Sequence, residues 1–85
     1  MYRWEFEEPA RLEAESLSPR VRQALEAFME AVVIVDPMEY QRRRGAADTP
    51  LRSLHFGPHD EGLVTFLVYP PDELVLVVRI QWLGE

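Results

Sequence analysis

Eighty-five residues suffice for one domain and leave no room for a second, since independently folding units usually need roughly 50 or more. An apolar fraction of 47% excludes a disordered chain, and a net charge of −6 opposes nucleic-acid binding at long range. With no cysteine there are no disulfides, thiolate metal sites or cysteine nucleophiles, and because all nine basic residues are arginine there are no lysine nucleophiles.

Tyr2, Trp4 and Phe6 alternate with Arg3, Glu5 and Glu7, the period of two of a strand with one buried and one wet face. Pro9 opens a segment to Ser16 in which Leu12 is the only large apolar residue, a weak helix at best. Ser18-Pro19 is a helix start, because serine caps orphan amides and proline at the first helical position has no amide to lose. Val21, Leu25, Phe28 and Val32 follow at spacings of four, three and four, one stripe of a helix. Val32 to Val35 is a run of β-branched residues open to two readings, a helix end or a short buried strand; the helix, to about Val33, is favoured. Asp36, Pro37 and Glu39 read as N-cap, N1 and N3 of another short helix through Arg44, stopped by Gly45 and followed by a polar loop over 45–50.

Leu51, Leu54 and Phe56 precede the turn-forming run Gly57 to Gly62, which predicts a short strand. Leu63 to Tyr69 and Leu74 to Leu83, joined by Pro70-Pro71-Asp72-Glu73, predict a hairpin. The expected architecture is a single α+β domain over residues 1–85: an N-terminal strand, two or three short helices, then a C-terminal antiparallel sheet. Simple alternation sets Val64, Phe66 and Val68 against Leu63, Leu67 and Tyr69. In the partner strand it sets Leu74, Leu76, Val78, Ile80 and Trp82 against Val75, Val77, Arg79, Gln81 and Leu83. Both faces are apolar near the turn and one helix layer covers only one of them, so the other calls for a further element or a partner. Val75, Val77, Trp82 and Leu83 are the candidate partner contacts, with Trp82 as an anchor.

The acidic segment Met1 to Pro9 has no apolar core of signal-peptide length, and the longest apolar run, Leu74 to Val78, is too short to cross a bilayer. The expectation is a soluble, cytoplasmic protein without a membrane partner.

The element order and several short motifs resemble the RelE/ParE toxins of bacterial toxin–antitoxin modules. Tyr2-Arg3-Trp4-Glu5-Phe6 looks like their opening strand, and Leu17-Ser18-Pro19-Arg20-Val21 like their "L-P-x-x-V" helix entry. Asp36-Pro37 sits where the family often ends that helix, Leu54-His55-Phe56-Gly57 resembles "L-R-V-G", and Val77-Val78-Arg79-Ile80 resembles the last strand. The resemblance implies one of two activities. RNA-cleaving members act at the ribosomal A site, where cations stabilise the charged phosphorane as a ribose 2′-hydroxyl attacks the adjacent phosphate. ParE-like members instead bind DNA gyrase. The arginine of "L-R-V-G" is His55 here, the next strand's arginine falls at about Leu63, and the basic or aromatic residues after the last strand fall at Trp82 and Leu83. His55 and Arg79 are therefore the candidate catalytic residues.

Each candidate also has a simpler reading. Arg42, Arg43, Arg44 and Arg52 are candidate nucleic-acid contacts, yet the triplet also suits a solvated helix end. His55 and His59 lie near Asp60 and Glu61, but no fourth ligand is marked, so neither a metal nor a cofactor is expected. His55 is also readable as a wet-face strand residue, and Arg79 as the ion-pair partner of a first-strand glutamate. Trp4, Phe28 and Phe66 read as core aromatics, because base-stacking platforms come with cations. The favoured function is a toxin-module protein that binds an antitoxin or other protein through an apolar sheet surface, with ribonuclease activity weak or lost. The alternatives are a stand-alone interaction module or homodimer, and an active ribosome-dependent mRNA endoribonuclease using His55 with Arg52 and Arg79.

Overall fold

The computed structural model describes residues 1–37 and 51–84. The expected helix beyond Pro37, the 45–50 loop and Arg42, Arg43 and Arg44 lie outside the described residues.

The strands β1 (Arg3–Phe6), β2 (Leu51–Phe56), β3 (Gly62–Tyr69) and β4 (Leu74–Trp82) form one sheet in the order β1-β4-β3-β2. The C-terminal three are antiparallel, as expected, and β1 joins parallel to β4, so the sheet is mixed. The Arg3 amide donates to the Glu73 carbonyl (3.0 Å) and the Glu7 amide to that of Val77 (2.8 Å). Pro70–Asp72 makes a single 3-10 turn in the hairpin, and Glu73 closes it in the left-handed region at φ 49°.

The helix α1 (Glu8–Glu15) exceeds the expectation of a weak one. Ala10 and Ala14, one turn apart, bury its inner face against the sheet, and on the outer face Arg11 pairs with Glu8 one turn back and with Glu15 one turn ahead (2.6 Å). Its last carbonyls are covered from the next helix, where the Arg22 guanidinium donates to Ala14 (3.3 Å) and Glu15 (3.4 Å), and also to Leu17 (3.3 Å) in the connection between the helices. The helix α2 (Pro19–Phe28) starts as the sequence suggests, with Ser18 Oγ accepting the Val21 amide at 3.3 Å. It continues as a π turn over Met29–Val33, closed by the Ile34 amide on the Met29 carbonyl (3.1 Å), so Val32 and Val33 end a helix and form no strand.

Ala10, Ala14, Val21, Leu25, Met29 and Val33 of the helices meet Phe56, Val64, Phe66, Val68, Val75, Val77 and Ile80 of the sheet in one core. A bulge decides which β4 residues join it. Val64 pairs with Ile80 and Thr65 with Arg79, but Phe66 pairs with Val77, so Val78 is an extra residue and the face alternation reverses across it. Ile80 and Trp82 therefore share a face with Val75 and Val77, whereas simple alternation had separated them. The Ile80 amide, on the outer edge of β4 past the end of β1, donates to Glu13 Oε1 of α1 at 2.7 Å.

Candidate functional site on the open face of the sheet

Residues that alternate with the core set make up the second face. Register places them in rows across the sheet: Leu51, Leu67, Leu76 and Glu5 in one, Ser53, Thr65 and Arg79 in the next, and His55, Leu63 and Gln81 in the third. Tyr69, Leu74 and Arg3 complete the end near the hairpin turn. Leu63, Leu67, Leu74, Leu76 and Val78 are half-buried, and none belongs to the core cluster. The face is thus divided: apolar toward the turn, polar toward the other end, with Leu63 inside the polar part.

The polar end holds four groups of use to an anion. Ser53 Oγ and Thr65 Oγ1 share a hydrogen bond of 2.8 Å between neighbouring strands. Arg79 stands on the far side of Thr65 with its side chain 62% exposed, and Glu13 Oε2 lies 4.0 Å from its Nε, a loose contact past the sheet edge. His55, exposed, is one row on. Toward the turn Arg3 Nε and Glu5 Oε2 pair at 3.0 Å.

The sequence-based candidates separate on this frame. His55 and Arg79 share the open face, but Arg52 points to the helix side with Leu54 and Phe56, so these three do not converge as one nuclease site. Arg79 finds its carboxylate in α1, not in the first strand. Val75 and Val77 are 0% exposed beneath the helices and offer a partner nothing; the reason is the bulge, which no glycine or proline in β4 announces. Trp82 is half-buried on the core side, its ring centroid 5.7 Å from that of Phe56, while Leu83 is 86% exposed just past β4. The open-face leucines and the Ser53–Thr65 pair, missed at the sequence level, follow once the β2–β3 register is counted back from the turn at Gly57.

A cleft of about 300 Å³ lies beside Trp82, between Arg20 and Val21 of α2 and His59 and Glu61 of the β2–β3 turn. The backbone amides of His59 (2.9 Å) and Glu61 hold the Glu61 carboxyl below the usual carboxylate range. Among the described residues no group of three or more His, Asp or Glu side chains gathers as metal ligands, and no helix is long and apolar enough to cross a membrane.

No protein-family model and no curated protein matches the sequence. Solved structures do match its backbone. The isolated Escherichia coli RelE toxin superposes with a TM-score of 0.78 at 16% identity, over 100% of this chain and 87% of that one. The chain has the RelE fold. The intact E. coli RelBE toxin–antitoxin complex gives 0.77 at 16% identity with 100% of both chains covered, and the RelBE2 toxin–antitoxin complex of Mycobacterium tuberculosis gives 0.76 at 17%, over 95% and 96%. At such identities the likeness lies in the backbone. In this chain the face outside the core carries an apolar half and one row of hydroxyls with a single arginine.

Proposed function

We propose that the protein is the toxin-type member of a toxin–antitoxin module, that it binds its antitoxin through the open face of the sheet, and that its ribonuclease activity is weak or lost. The observation that carries the reading is the apolar half of that face, where Leu67, Leu74, Leu76 and Val78 stay outside the core. Among the described residues no helix packs on these side chains, and apolar side chains gathered on such a sheet face favour association. Two of the similar structures are complexes of a RelE-type toxin with an antitoxin, which supports the choice of partner. The weak-nuclease part rests on chemistry. A charged phosphorane calls for several converging cations, and among the described residues Arg52 lies on the opposite face from His55 and Arg79.

Expression with and without the neighbouring gene tests the reading. The product of that gene is expected to co-purify with the wild type, and the double variant Leu67→Glu, Leu76→Glu to lose it while keeping the unfolding midpoint within a few degrees. Continued co-purification with the double variant would move the interface elsewhere. Expressed alone, the protein is expected to leave transcripts intact. Growth arrest with cleaved mRNA, abolished by His55→Ala, would put the nuclease in its place.

A further inference from the structure

Resting on that reading, we propose that the polar end of the open face is a carboxylate-binding subsite for the same protein partner. Arg79, the Ser53–Thr65 hydroxyl pair and His55 receive an aspartate or glutamate from the segment whose apolar side chains cover Leu67 and Leu76.

Two hydroxyls bonded to each other use one of their two hydrogens, so the Ser53–Thr65 pair keeps one to give outward. Arg79 is next in the row, and a guanidinium presents a planar fork that matches a carboxylate in two-point contact. An imidazole N–H from His55 stands one row away. Among the described residues, the acids near these donors are engaged or displaced. Glu5 is held by Arg3 at 3.0 Å, and Glu13 spends one oxygen on the Ile80 amide while the other stays 4.0 Å from Arg79. A surface pair at that distance contributes little, so the Arg79 charge is open to a better-placed anion.

Spacing then selects the kind of anion. Thr65 and Leu67 are two residues apart on β3, about 7 Å, and the three strands carrying the polar row span about 10 Å. One short peptide segment reaches the donors with an acidic side chain and the apolar half with side chains a few positions away. A nucleic-acid strand brings a phosphate at every step and no aliphatic side chains, and it meets a chain of net charge −6. The mixed chemistry of the face therefore fits a protein segment that is apolar with an adjoining acid.

Selection of a random peptide library on the immobilised full-length protein decides the matter. Wild type is expected to enrich peptides that combine apolar residues with an aspartate or glutamate. Arg79→Gln is expected to keep the apolar preference, lose the acid, and weaken a selected acidic peptide about tenfold. Thr65→Val should weaken it less. Wild-type peptides with the apolar pattern and no acid would overturn the subsite and leave the interaction face standing. Peptides whose binding ignores Leu67→Glu would overturn the face itself. A single-stranded RNA that binds tighter than the selected peptide, and loses that binding in Arg79→Gln, would overturn the carboxylate in favour of phosphate.

Discussion

Phe66 and Leu67 are neighbours in β3, yet they serve opposite sides of the same sheet. Phe66 is 0% exposed among the helix residues Leu25, Met29 and Val33 and their strand partners, while Leu67 is half-buried beside Leu51 and Leu76 on a face outside the core. One face is built by complementary packing that this chain supplies itself. The other is built of the same residue types, and among the described residues it has no helix against it. The contrast shows that the described helices use one half of the sheet's apolar inventory, and it is the other half that the proposed interaction would use.

The contrast is most directly broken by paired truncations. Phe66→Ala deletes a ring from a filled interior and is expected to cost about 3–5 kcal/mol, which for a domain of this size approaches its whole stability. Leu67→Ala, one residue on, should cost about 1 kcal/mol or less, because its side chain is only partly removed from water. Urea unfolding of the two variants measures both. Equal losses would mean that the open face is packed as tightly as the core, and the interaction reading would lose its basis.

The bulge at Val78 sets which side chains of β4 meet the helices, and two residues on, the Ile80 amide donates to Glu13 of α1. Glu13→Ala leaves the Ile80 amide without its acceptor, an expected loss of about 1–2 kcal/mol, whereas Glu13→Gln retains an oxygen and should lose less than half of that. Hydrogen exchange at the Ile80 amide reads the effect locally and should accelerate in the alanine variant. If the bulge itself slipped, the reversed alternation would drive Arg79 toward the helices and Trp82 toward water, and Trp82 emission would shift to the red. An unchanged Ile80 exchange rate would show that the strand holds its bulge without α1.

These same places mark how far the sequence could be read. The first strand, the Ser18-Pro19 helix start and the hairpin were legible because each is set by local pattern: alternation, a cap and a proline-rich turn. The two-turn α1 was underrated because the residues it buries are the small Ala10 and Ala14, and because Arg11 between Glu8 and Glu15 and a guanidinium from α2 do not show as periodicity of large apolar residues. Of the candidate site, His55 and Arg79 were legible as exposed polar residues in strands. Val75 and Val77 were misplaced because the extra residue at Val78 sets them on the same face as Ile80 and Trp82, which simple alternation puts opposite them, and the sequence carries no glycine or proline there as a signal. Ser53 and Thr65 attract no notice apart from each other, since only the β2–β3 register makes them a pair.

The smallest expected effect concerns charges set away from the open face, and it sharpens the comparison by showing what that face does not depend on. Arg11 holds the Glu8 carboxyl below its ordinary value of 4.5 by hydrogen bond and by charge, and the His59 and Glu61 amides do the same for Glu61. A carboxyl with a depressed value in the folded state contributes stability that is present above its unfolded value and is lost as the pH falls through the folded one. The unfolding midpoint is therefore expected to hold from neutrality down to the ordinary carboxylate range and to decline below it. Salt should shrink the part due to Glu8, which is an exposed ion pair, and spare most of the part due to Glu61, which rests on short-range bonds to backbone amides. Glu61→Gln in high salt should flatten the acid limb of the midpoint profile. An unchanged limb would mean that the two amides give Glu61 no preference for its charged form, and that the acid response lies elsewhere.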